Sequence, residues 1–212
     1  MSLTLLGLIF AITSCDVSEP QSQLADGTDG IAILPQEPIN DTEEAALTFM
    51  IEEEKIARDV YNYLHNRWNH KSFQNIASSE QKHMDAVLAL IEKYELTNPV
   101  STDQAGVFQN EDLQDLYNEM IEMGSVSLEE ALKVGGLIEE VDIVDLQKQL
   151  NEGVDNEDII LVFNNLMKGS RNHLRSYVDN LSSIGVIYNP SYLSTDEYES
   201  IINSPTEQGG GN

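Results

Sequence analysis

The sequence predicts an all-α fold over residues 41–186, an antiparallel four-helix bundle made of two helical hairpins joined by a long crossover. Three observations predict it. Four segments carry apolar residues at three- and four-residue spacing, the signature of one buried helix face. The links within the first and second pairs are short, whereas the link between the pairs is long. Each apolar stripe is also broken near its middle by residues that proteins seldom bury without a partner.

Ahead of the bundle, Leu3 to Ala11 is apolar but too short to span a bilayer. It leads into Ile12-Thr13-Ser14-Cys15, which resembles a bacterial lipobox, although no Lys or Arg precedes it. The expectation is a signal peptide over residues 1–15, a lipidated Cys15 and an extracytoplasmic position at the cell envelope. Cys15 is the single cysteine, so no intramolecular disulfide can form. Residues 16–40, rich in Ser, Pro, Gln, Gly and Asp, read as a flexible tether spanning roughly 25–30 Å.

The first helical segment opens with Asp41 or Thr42 as N-cap and carries the stripe Leu47, Met50, Glu54, Ala57, Tyr61, Leu64 and Trp68. The second opens at Ser72, carries Phe73, Ile76, Glu80, His83, Val87, Leu90 and Tyr94, and stops before Asn98-Pro99. The crossover holds a short helix from Asp112 to Met123, ended by Gly124. The third segment starts at a capping box, Ser127 with Glu130, and its stripe is Leu128, Leu132, Gly135, Glu139, Asp142, Leu146 and Leu150. Asp155 caps the fourth, whose stripe is Ile159, Phe163, Leu166, Ser170, His173, Tyr177, Leu181 and Ile184, closed by Gly185. Residues 187–212 read as a C-terminal extension, disordered from Pro205 onward.

With 11 basic against 37 acidic residues and a net charge of −26, the chain would repel nucleic-acid phosphates and anionic headgroups. Nucleic acid is therefore excluded as a partner, and contact with a membrane is expected through the lipid anchor alone.

Folding the first segment onto the second near Asn69 sets Glu54 opposite the Glu80–His83 turn. Folding the third onto the fourth at Gly153 sets Glu139 and Asp142 opposite Ser170 and His173. Six ionisable groups then share one layer of the core. Carboxylate oxygen and imidazole nitrogen without thiolate suit iron or manganese, and admit zinc. Two divalent ions would neutralise four carboxylates that resist being charged together in low dielectric. The alternative is a buried polar network with no metal, which is costly unless every member is satisfied.

Glu54-Lys55-Ile56-Ala57-Arg58 with Tyr61, and Ser79-Glu80-Gln81-Lys82-His83-Met84, resemble the two ligand helices of a first hairpin in the ferritin-like and rubrerythrin superfamily. With Ile138-Glu139-Glu140-Val141-Asp142-Ile143 and Gly169-Ser170-Arg171-Asn172-His173-Leu174, the run from about Glu44 to Tyr198 is similar to the ferritin-like domain of unknown function family 2202. The resemblance implies a di-iron centre with Glu54, Glu80, His83, Glu139 and His173 as ligands, and Glu80 as a bridge. That superfamily carries Glu-x-x-His on its fourth helix, and Ser170 stands where the glutamate would be. Asp142 is the candidate replacement. Tyr61, Tyr177 and Ser170 are placed to support the ligands through hydrogen bonds.

The implied activity is an oxidoreductase acting on ferrous iron, oxygen or peroxide, and the alternative is a lipoprotein that binds or senses iron without turnover. No Cys-x-x-Cys segment offers an electron donor. A homodimer is left open. Glu52, Glu53, Glu129 and Glu130 are expected on solvated faces, as are His65 and His70. Glu140 points about 100° away from Glu139 and ranks behind it.

Overall fold

The computed structural model describes residues 34–208 and contains six α-helices, with no strand among the described residues. They are α1 Asp41–Trp68, α2 Lys71–Lys93, α3 Glu111–Gly124, α4 Leu128–Asn151, α5 Glu157–Ser183 and α6 Thr195–Ile202. No described helix is long and apolar enough to cross a membrane. Cys15, most of the expected tether and residues 209–212 lie outside the described residues.

Helix ends follow local hydrogen bonding. Asn40, one residue before the expected cap, accepts from the amides of Thr42 and Glu43, while Glu43 accepts from the Asn40 amide. Asn69, at φ 50°, turns the chain out of α1, and His70 rather than Ser72 caps α2. Ser127 caps α4 as expected. The start of α5 has no side-chain cap of its own. Instead Glu43 Oε1 accepts the amides of Asp155 (3.1 Å) and Asn156 (2.8 Å), so a carboxylate at the start of α1 organises the turn between α4 and α5.

The four long helices form a helical bundle, with the most extensive contacts between α1 and α2 and between α4 and α5. The start of α2 meets the end of α5 through Ser72 and Asn180, and its end meets the start of α5 through Tyr94 and Asp158. The expected stripes face inward, except that Trp68, Leu128, Leu150 and His173 are half-buried and Ile184 is exposed.

One feature overturns an expectation. Every residue of α1 from 50 to 61 is buried, so this helix has no solvated face along its middle. The crossover covers it. Lys55 Nζ donates to Asp59 (2.7 Å) and to the Gln104 carbonyl (2.8 Å), and Arg58 pairs with both Asp59 and Asp103. Glu52 accepts the amides of Gln109 and Asn110. Glu52 and Glu53, expected in solvent, are therefore in the interior. A single apolar stripe marks a helix buried on one side, and α1 is buried on all sides along its middle. Glu129 and Glu130 remain half-exposed and pair with Lys133, and His65 and His70 are half-buried.

The C-terminal extension is held to the bundle as well. Glu140 accepts the amides of Ser191, Tyr192 and Leu193 and the Tyr188 hydroxyl. Glu207 pairs with Arg171 and Arg175 on α5, so the expected tail is tied to that helix at Glu207.

Candidate metal centre

Two groups of three ligand atoms gather in the middle of the bundle, each within 4.8 Å: Glu54, Glu80 and His83, and Glu80, Glu139 and His173. Glu80 belongs to both. Its Oε2 lies 2.7 Å from His83 Nδ1, and its Oε1 lies 2.8 Å from His173 Nδ1. His83 Nδ1 is also 3.1 Å from Glu54 Oε2, and His173 Nδ1 is 3.4 Å from Glu139 Oε2. The two imidazoles stack with centroids 5.6 Å apart.

The spacing that produces this is simple. Glu80 and His83 are three apart on α2, so both point from one face. His173 presents from α5, and Glu54 and Glu139 present from α1 and α4. Gly169 makes room: a Cβ there would sit 2.6 Å from His83 Cε1 and Nε2. Gly135 does the same for Tyr177, whose ring a Cβ would approach within 2.4 Å.

The donor set fits a metal. Glu80 Oε1 and His173 Nδ1 are close, yet both are buried and neither has a hydrogen-bond partner of acceptable geometry. Glu54 Oε1 is also unpartnered. A hydrogen-bonded network would satisfy these atoms. Atoms converging on a cation would look as they do here.

Protonation follows from burial and mutual charge. Burial pushes Glu54 up, only partly countered by His83, to about 7. Burial also opposes charge on the imidazoles, but the carboxylates outweigh it, carrying His173 to about 10 and His83 well above its usual value. For Glu80, burial acts upward, but His173 and His83 prevail and hold it below the usual carboxylate range. Burial and the charge of Glu80 keep Glu139 raised despite His173. Without a cation, protons hold the layer together.

Tyr61 donates to Glu139 Oε1 at 2.5 Å, and Tyr177 packs on Tyr61 with centroids 5.4 Å apart. The Tyr177 hydroxyl itself is buried without a partner. Ser170 donates to Asp142 Oδ2 and to the Leu166 carbonyl. Asp142 lies outside both triads, with Oδ1 unpartnered and its pKa driven well up by burial and then by Glu54 and Glu139. Five of the six expected ligands thus gather directly, with Asp142 beside them. Glu53 was missed, since its place in the run Glu52-Glu53-Glu54 reads as surface. Glu140, set aside for its direction, is buried but serves the C-terminal extension.

Fold and site define a helical bundle with a buried glutamate–histidine cluster that could hold a metal ion. Residues 43–205 match the family described as "Uncharacterized protein domain (DUF2202)", and the chain belongs to that family. It is similar to "Uncharacterized protein MJ0754" of Methanocaldococcus jannaschii, at 52% identity over 179 residues, 84% of this chain and 96% of that protein. It also resembles the crystal structure of hypothetical protein MJ0754 from Methanococcus jannaschii, at a TM-score of 0.80 and 52% identity, covering 82% of this chain and 99% of that one.

Proposed function

We propose that this protein is a ferritin-like antiparallel four-helix bundle whose glutamate–histidine layer binds two cations, iron in its working state, and acts as an oxidoreductase on ferrous iron, oxygen or peroxide. One observation carries this reading: the two oxygens of Glu80 each face a different histidine, so one carboxylate is shared by two ligand sets. Glu54 and His83 would complete one set, and Glu139 and His173 the other. An iron pair would supply one-electron steps and an open coordination position. The chain's own part is to hold the sets at fixed separation, to orient Glu139 through the Tyr61 hydroxyl, and to keep the layer dry among Tyr61, Tyr177 and Phe73. Lipidation of Cys15 would tether the domain on the extracytoplasmic side of the bacterial envelope.

Anaerobic titration of the apo-protein with ferrous iron, with the ratio read by elemental analysis, tests the reading. Two ions per chain, followed by oxygen consumption on exposure to air, is the expected result. One or two ions with no oxygen consumption would leave a binding or sensing protein, and none would defeat the metal centre.

A further inference from the structure

The C-terminal extension crosses from α4 to α5, and each of its anchors sits beside a ligand. On α4 the anchor is Glu140, next to Glu139. Its carboxylate is fully buried and gathers the amides of Ser191 (2.9 Å), Tyr192 (2.8 Å) and Leu193 (2.9 Å). One turn earlier, Gly136 lets the Tyr188 ring lie against the helix, since a Cβ there would meet it at 2.8 Å. On α5 the anchor is Asn172, next to His173. Its side chain accepts the Glu207 amide (2.9 Å) and donates to the Glu207 carbonyl (3.0 Å), while Arg171 and Arg175 hold the Glu207 carboxylate. Arg175 also donates to the Ile201 carbonyl (2.9 Å) in α6.

Apolar contact alone would keep the extension in place, since Tyr188, Leu193, Tyr198 and Ile201 are all buried. Such burial is non-directional, whereas hydrogen bonds fix register. Register matters to a ligand. A rotation of α4 by about 10° would carry the tip of Glu139, about 5–6 Å from the helix axis, through about 1 Å. Metal sites tolerate only about 0.2 Å. Glu139 and His173 stand on the two helices that the extension ties together, with Glu139 Oε2 at 3.4 Å from His173 Nδ1.

The first hairpin has a brace of its own. Arg58, one turn beyond Glu54 on α1, donates to Gln81 (2.7 Å), which is next to Glu80 on α2, and pairs with Asp103 in the crossover. The extension takes no part in that brace. We propose that the C-terminal extension is a positioning strap for one of the two ligand sets: through Glu140 and Glu207 it fixes Glu139 and His173 against Glu80, while the Glu54–Glu80–His83 set does not depend on it. The strap's role rests on the two-cation reading above. Glu140 and Glu207 act through the ligands beside their anchors and touch no cation themselves.

Stepwise titration of the apo-protein with Co²⁺ against a competing chelator reads each ion separately. Glu140→Gln should weaken one of the two cobalt ions about 10–100-fold, as loss of a ligand's outer support typically does, and leave the other unchanged. Glu207→Gln, at a half-buried position, should weaken the same ion by a smaller factor, and it decides the matter if Glu140→Gln fails to fold. In a His173→Ala background only the Glu54–Glu80–His83 set remains, and there Glu140→Gln should have no further effect. Glu43→Gln is the control for stability alone, because Glu43 is as buried as Glu140 and also gathers two distant amides, but at the start of α1. It should lower the melting temperature and leave both ions as they were. Wild-type binding of both ions in the folded variants, equal weakening of both, a further loss in the His173→Ala background, or the same loss in Glu43→Gln would overturn the strap while leaving the centre in place. Uptake of fewer than two ions by the unmodified protein would instead defeat the two-cation reading itself.

Discussion

Gly169→Ala probes the centre without touching a ligand. The new Cβ would lie 2.6 Å from His83 Cε1 and Nε2, whereas ordinary contact begins at 3.4 Å, so the ring must retreat by about 0.8 Å or more. Its far side is not free, because Nδ1 is set between Glu80 and Glu54 and the ring stacks on His173. Metal–nitrogen distances tolerate only about 0.2 Å of error, so the Glu54–Glu80–His83 set loses one leg. Misplacing a ligand through its neighbour typically weakens metal binding about 10–100-fold, or roughly 1.4–2.8 kcal/mol. Stability should change less. Overpacking costs about 1–3 kcal/mol, and replacing a mid-helix glycine by alanine returns about 1 kcal/mol. Gly124→Ala is the control, since its Cβ would crowd Leu64 at 2.7 Å, away from the centre. Competition titration against a chelator and thermal melting of both apo-variants make the comparison. Wild-type metal affinity in a folded Gly169→Ala protein, or an equal loss in Gly124→Ala, would refute the reasoning.

Tyr61→Phe should destabilise the apo-protein by about 1–3 kcal/mol, because Glu139 Oε1 loses its donor. Tyr177→Phe should be neutral or stabilising, because its hydroxyl has no partner to lose; chemical denaturation distinguishes the pair, and equal effects would contradict the assignment. The apo-protein should lose stability as pH rises from about 5 to 10. Glu54 at about 7 and His173 at about 10 both hold protons more tightly folded than unfolded, so the folded state binds the excess protons across that window. Glu80, shifted the other way, matters only at pH values below its ordinary carboxylate range. Cation loading should therefore release protons, measurable with an indicator dye in weak buffer, and should flatten the melting-temperature profile; proton uptake would contradict it. Ser170→Glu should weaken binding of a second ion and lower the melting temperature, because Ser170 is fully buried and its hydroxyl serves Asp142. Tighter second-ion binding by calorimetry would instead mean that the position lacks a carboxylate.

The sequence was most legible where a side chain's role follows from its position along its own helix. Glu80 and His83 share a face by their spacing, and the hairpin turn at Asn69 sets Glu54 against them, so one half of the site follows from period and register. Glu139 and His173 followed in the same way from the turn at Gly153. The carboxylates that hold the outer layers in place were not legible. Glu43, Glu52 and Glu140 accept amides from segments 51 to 113 residues away, and no spacing within a helix encodes such a partner. Glu53 was hidden for a related reason. Its burial depends on α3 and the crossover covering the far side of α1, a decision made by tertiary packing. The caps of α1, α2 and α5 each fell one or more residues from expectation, because Asn40, His70 and Glu43 compete with the more usual capping residues.

The complete enclosure of α1 between residues 50 and 61 has a consequence for how the protein breathes. Amide protons in that stretch have no shallow opening available and should exchange with solvent only when the whole domain unfolds. α2 and α5 each keep an exposed outer edge, and they carry the two histidines, whose side chains are 9% and 12% exposed against 1% for Glu54. The cluster is therefore mounted on supports of unequal stiffness. A brief parting of α2 from α5 would lift both imidazoles while Glu54 stayed in place. Escape of a bound ion would then begin at the nitrogen side, with the carboxylate of α1 the last to let go.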